Sequence, residues 1–179
     1  MDICLSGGAI GADALFGIQA LKNNHDLIDF SFSGHKCVNL GHEYILSETE
    51  LKEGEFLLKQ AQKRLNKTNP RSIFVLNLLR RNYWQIKFTD SIFAVCSLKF
   101  DLQEQRLLPQ GGTGYAVEMG ILRGVPDIFL FDQITSSWYR FNYDWITCVT
   151  VPKPSGVYTG IGSRKLFDNQ RQAIIDLYK

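Results

Sequence analysis

Three glycine-rich turns constrain this chain more than any other feature. SGGAIGAD at 6–13, GGTGYAVE at 111–118 and TGIGSR at 159–164 each open a segment with apolar residues at helical spacing. Residues 2–5 predict a short apolar strand cut off by Ser6-Gly7-Gly8, with a helix over 9–22. Residues 157–159 predict a strand, followed by Gly160-Ile161-Gly162-Ser163 and a helix running to 179. Strands alternating with helices in this way predict an α/β fold: a Rossmann-like, mostly parallel sheet with helices on both faces, in a single domain over 1–179. In such a sheet every strand-to-helix turn lies at the carboxyl edge, so the glycine turns are expected to converge where ligands bind.

The remaining elements fit this frame. Residues 27–32 read as a strand, followed by a glycine-punctuated loop over 33–46. Ser47 and Glu50 have the spacing of a capping box, which predicts a solvated helix to about residue 65. Pro70 suits the first turn of a helix running through Leu78 and Leu79 towards Trp84. The continuous apolar run SIFAVCS over 91–97 is that of a strand covered on both faces. Residues 98–110 read as polar and irregular, and they deliver the chain to Thr113, a candidate N-cap for a helix over 115–123. Strands are predicted over 128–131 and, after an aromatic-rich stretch, over 145–151.

Composition narrows the function classes. With 45% hydrophobic and 21% charged residues the chain is ordinary for a globular protein. Twenty basic and eighteen acidic residues are interspersed, with no basic stripe of the kind duplex DNA demands, so nucleic acid is an unsupported partner. The four cysteines form no CxxC, and His25, His35 and His42 have no metal-like spacing, so reduced thiols and no metal or other cofactor are expected. No run of about 18 apolar residues suggests a membrane segment, and the expected location is the cytoplasm.

The turns carry the chemistry. A helix opening presents free N–H groups and a positive dipole end, and glycine lets backbone approach a phosphate with no Cβ in the way. Candidate phosphate-binding residues are Ser6, Gly7, Gly8, Ala9, Gly111, Gly112, Thr113, Gly114, Gly160 and Gly162, with Ser163 and Arg164 placed to bind an anion beside the last turn. Arg81 and Asn82 either reach across to the phosphates or end a helix at the surface. Asp13 either accepts from a ribose or ties down local backbone. Glu118 is either a ribose-binding or acid/base group, or a carboxylate answering the helix dipole. Tyr115, Trp84 and the Trp138-Tyr139 pair are candidates for base stacking or for core packing. His35 is a candidate lid residue. Neither GxGxxG in a βαβ unit nor GxxxxGK[ST] occurs, which argues against a dinucleotide fingerprint and a Walker ATPase.

SGGAIGAD, LLRRN at 78–82, SIFAVCS, GGTGYAVEMG at 111–120 and TGIGSR together resemble the SMF/DprA-LOG (SLOG) superfamily, a Rossmann-like group that includes phosphoribohydrolases and nucleotide-signal sensor domains. There the GSR-type turn comes before the SGGAxGAD-type turn, whereas here it comes near the C-terminus, so the chain looks like a circular permutant similar to a permuted family of bacterial and phage genomes. The resemblance implies a binder of a phosphorylated, nucleotide-derived small molecule, of ADP-ribose type or a cyclic signalling nucleotide, acting as sensor or sequestering protein. It also implies homo-oligomers. The phosphoribohydrolases of the group carry PGGxGTxxE with an upstream arginine, and Gly111, Gly112, Gly114, Glu118 and Arg81 match. Gln110, however, separates Pro109 from the glycines, and Thr113 precedes Gly114. The alternative it implies is thus a nucleoside 5′-monophosphate N-glycosidase with Glu118 as its acid/base group. A third expectation, a DNA-processing module, rests on fold analogy alone.

Overall fold

The computed structural model describes residues 1–38 and 40–179. Its centre is an eight-stranded sheet in the order β3-β2-β1-β10-β4-β7-β8-β9. These are β1 Ile3–Ser6, β2 Asp26–Phe32, β3 His42–Leu46, β4 Ser91–Cys96, β7 Asp127–Asp132, β8 Ser137–Asn142, β9 Asp144–Thr147 and β10 Val157–Gly162. The first six strands in that order pair parallel, and β8 and β9 extend the sheet antiparallel. A separate hairpin, β5 Leu98–Asp101 with β6 Arg106–Pro109, leaves the carboxyl end of β4.

Side-chain alternation along β4 builds the two core layers. Ile92, Ala94 and Cys96 point to one face, where they pack with Leu58, Leu79, Ala116 and Met119. Those residues come from α3 Glu55–Arg64, α4 Ile73–Ile86 and α5 Gly111–Arg123. Phe93 and Val95 point to the other face, against Phe16 and Ala20 of α1 Ala12–Lys22 and Ile174 of α6 Asp168–Asp176. A third cluster, with Leu5, Phe30, Leu46, Leu51 and Trp84, closes the β1–β3 end beneath α4 and the short α2 Glu48–Glu53. The fold is therefore α/β, mostly parallel and covered on both faces. No helix among the described residues is long and apolar enough to cross a membrane.

Several boundaries differ from the sequence expectation, each for a local reason. The last residues of the 33–46 loop form β3, an edge strand with largely exposed side chains, so its sequence lacks a clean two-residue alternation. Residues 98–110, expected to be irregular, hold the β5–β6 hairpin, whose buried residues are Leu98, Leu108 and Pro109. The capping box at Ser47 forms, but its helix stops at Glu53 and a second begins at Glu55. Helix α4 starts at Ile73, capped by Ser72 Oγ rather than led in by Pro70. Helix α5 starts at Gly111 with Gln110 as N-cap, so Thr113 lies inside the first turn instead of capping it. Gly160 and Gly162 belong to β10, and α6 begins only at Asp168. The aromatic-rich stretch contains β8, and the strand expected over 145–151 is the shorter β9.

Candidate functional site

The carboxyl ends of β1 and β10 and the first turn of α5 surround a cleft of about 440 Å3, with one wall supplied by α4. That volume lies toward the lower end of the roughly 300–1,000 Å3 usual for small-molecule sites.

Arg81 of α4 is the central cation. Its guanidinium occupies the space a side chain at Gly7 would need, since a Cβ there would stand 2.3 Å from Arg81 Cζ. Nη1 donates to the Gly7 carbonyl, Nη2 lies 3.3 Å from Asn82 Oδ1 and 4.0 Å from Asp13 Oδ2, and the buried Nε has no hydrogen-bond partner among the described residues. The residue is only 5% exposed. Burial pulls its pKa down and the Asp13 carboxylate pushes it back up, and an arginine so placed remains a cation.

Asp13, 2% exposed, ties the turns together. Its Oδ1 accepts from the Gly162 N–H at 2.9 Å, joining the end of β10 to the start of α1. Burial raises its pKa, opposed by Arg81 and by the N–H groups of Gly162 and Gly7. Between these elements Gly11 adopts φ +101°, with the Ser163 and Arg164 carbonyls about 2.5 Å from where a Cβ would stand; only glycine fits.

The first turn of α5 forms the opposite lip. No side chain caps it, because the Gln110 amide turns away to the Leu108 carbonyl at 2.8 Å. Asn82 Nδ2 donates to the Gly112 carbonyl at 3.0 Å and locks α4 to this turn. Gly111, Gly112 and Thr113 thus line the cleft at the positive end of a 13-residue helix. Arg164 lines it from the β10–α6 connection, exposed and, among the described residues, without an acidic partner. The two arginines raise the local potential. Burial first, then Arg81 and Arg164, hold the half-buried His35 imidazole down to about 4. Val75, Leu78, Leu79 and Ile161 supply an aliphatic wall.

Of the residues expected from the sequence, Ala9, Asp13, Arg81 and Asn82 line this cleft, as do Gly111, Gly112, Thr113, Gly162, Ser163 and Arg164. Ser6, Gly7 and Gly8 stand behind it, with Ser6 Oγ accepting from the Gly8 N–H at 3.0 Å. Gly114 packs on the Pro109 carbonyl and Gly160 on the Phe16 ring; neither lines the cleft. Glu118 lies elsewhere. It is wholly buried, with Arg64 Nε 2.7 Å from one carboxylate oxygen and Arg106 Nη1 2.9 Å from the other. The candidate stacking aromatics are also elsewhere: Trp84 donates to the Glu50 carbonyl within the third cluster, Tyr115 packs on the α3–α5 core, and Trp138 lies against Phe131. The aliphatic wall escaped the sequence reading because Val75, Leu78 and Leu79 sit at ordinary core-helix spacing. Among the described residues no group of three or more His, Cys, Asp or Glu side chains comes together to hold a metal ion.

Comparison of the chain with family models, with curated proteins and with solved structures gave no match.

Proposed function

We propose that this protein binds a phosphorylated, nucleotide-derived small molecule in the cleft at the carboxyl edge, as a sensor or sequestering protein. The observation that carries the reading is the convergence on one cleft of an uncapped helix opening, the buried Arg81 held against the Gly7 turn, and the exposed Arg164, which among the described residues has no acidic partner. Burying a guanidinium costs free energy unless a partner compensates it, and the protein compensates this one incompletely. An anion at the α5 opening meets the helix dipole favourably and offsets the positive charge that Arg81 and Arg164 bring to the cleft. ADP-ribose-type molecules and cyclic signalling nucleotides belong to the class that fits, and the SLOG-like turns favour the same reading.

Retention without cleavage is favoured over N-glycosidic hydrolysis. The hydrolase reading needs Glu118 within reach of the ligand, and both oxygens of that carboxylate are engaged by arginines outside the cleft. Asp13 is the one carboxylate among the described lining residues, and it already accepts from backbone. The proposal includes the circular permutation: the end of α6 lies against β10 and α1 through the Tyr178–Tyr158 hydroxyl pair at 3.0 Å, which suits a chain order in which β10 and α6 precede β1.

The test is to incubate the pure protein with nucleoside monophosphates, ADP-ribose and cyclic nucleotides, and to recover every compound by mass spectrometry after denaturation. Stoichiometric retention of one compound, intact, is expected. Catalytic appearance of free base and ribose phosphate would instead establish an enzyme, and retention of nothing would end the proposal.

A further inference from the structure

The direction of one hydroxyl proton is fixed by the network behind the cleft. The backbone N–H of Phe167 can only donate, and it donates to Gln170 Oε1 at 3.0 Å. The side-chain atom of Gln133 that stands 2.9 Å from the same oxygen is therefore its amide nitrogen. That nitrogen also lies 3.3 Å from the Lys165 carbonyl, which can only accept. Gln170 is 1% exposed, so solvent does not compete for its amide. With its own amide so oriented, Gln133 turns Oε1 towards Ser163, and an amide oxygen has no proton to give. The Ser163 hydroxyl accordingly donates to it, across 2.9 Å.

Little of Ser163 then remains for a ligand. Its backbone N–H donates to the Val95 carbonyl at 2.8 Å, and its carbonyl accepts from the Ala12 N–H at 3.0 Å. The residue lines the cleft, and the polar atom it has left there is the hydroxyl oxygen, whose proton is spent on Gln133 and whose lone pairs receive no hydrogen bond among the described residues. Such an oxygen repels the oxygens of a phosphate and accepts from a neutral donor. The anion is left to the positive groups beside it, Arg164 and the α5 opening.

We propose that Ser163 is a specificity-determining acceptor, which reads a neutral donor of the ligand, a sugar hydroxyl or a base N–H, and does not hold phosphate. This rests on the cleft being the ligand site. It gives Ser163 a different task from Arg164, its neighbour in the TGIGSR turn.

Isothermal titration of the full chain with AMP, three analogues and inorganic phosphate tests it. The neutral donors of AMP are its 2′-hydroxyl, its 3′-hydroxyl and its 6-amino group, and 2′-deoxy-AMP, 3′-deoxy-AMP and purine riboside 5′-monophosphate each lack one of them. One analogue is expected to bind the unaltered protein at least about fivefold more weakly than AMP, because it leaves the Ser163 acceptor unpaired. Which analogue it is tells a sugar donor from a base donor. Ser163→Ala is expected to bind AMP and that analogue alike, and to keep the parent's affinity for inorganic phosphate. Agreement of all three analogues with AMP within about twofold on the unaltered protein would overturn the proposal while leaving the cleft as the ligand site. Discrimination that survives Ser163→Ala would also overturn it, passing the readout to another lining hydroxyl such as that of Thr113, and so would a loss of phosphate affinity of about fivefold in the variant. Failure of AMP to bind would remove the proposal, and failure of inorganic phosphate as well would remove the ligand reading with it. The comparison among analogues uses the unaltered protein, so it stands even if the variant does not fold.

Discussion

Replacing Glu118 by glutamine separates a structural carboxylate from a catalytic one. Glu118 has no solvent exposure and bridges Arg64 of α3 and Arg106 of β6, while Arg106 Nη2 also donates to the Arg64 carbonyl at 3.2 Å. Glutamine keeps the shape but not the charge, and its amide nitrogen turns a donor towards one guanidinium. Breaking a buried pair costs about 3–5 kcal/mol, because the surviving partner is stranded. Here the side chains of Arg64 and Arg106 are 39% and 19% exposed, so water screens part of that loss, and a cost of about 2–3 kcal/mol is expected. For a chain of this length that corresponds to a fall in melting temperature of about 4–12 °C. Urea denaturation followed by tryptophan fluorescence measures it, and titration with the retained nucleotide is expected to give unchanged affinity below the transition. A variant as stable as the parent, with turnover or binding abolished, would refute the structural assignment and restore Glu118 as a site residue.

Three further outcomes follow from the same geometry. Gly7→Ala sets a methyl group against the pinned Arg81 guanidinium; overpacking of this kind costs about 1–3 kcal/mol, and nucleotide affinity is expected to fall with stability, so a variant matching the parent in both would contradict the Arg81 placement. Cys4 and Cys96 are buried, with thiols pushed up to about 12, whereas Cys37 and Cys148 are part-exposed; alkylation of the native protein near pH 8, followed by intact mass, is expected to label the second pair first. His35 is held down to about 4 when folded, so the unfolded chain binds its proton more readily between its ordinary value and 4; its contribution to stability is present above about 6.5 and is lost as pH falls through that window. His35→Asn is expected to flatten the fall in denaturation free energy there, and an unaltered pH profile would contradict the burial and cationic surroundings assigned to the imidazole.

What the sequence disclosed was whatever carries a strong local signal. Strand β4 was legible because an apolar run buried on both faces has few other uses, and the glycine turns were legible because they interrupt helical periodicity at its start. Edge elements were not. Strand β3 and the β5–β6 hairpin bury few side chains, so tertiary pairing, not residue pattern, makes them strands. Glu118 shows how a small boundary shift moves a site residue. With α5 beginning at Gly111, Glu118 stands six residues beyond Gly112, about 9 Å further along the axis and about 240° around it, and so it faces away from the cleft. Arg81 carried the opposite ambiguity, since an arginine near a helix end is usually solvated; only the missing Cβ at Gly7 reveals that it is drawn inward.

The most direct test of the central claim is a titration of the 15N-labelled protein with ADP-ribose, following backbone amides and arginine Nε–H groups by NMR. The largest shifts are expected at Gly111, Gly112 and Thr113 and at the Nε–H group of Arg164. Saturable shifts clustering elsewhere, for instance in the groove between Trp138, Val149 and Leu177, with the α5 opening unmoved, would contradict it.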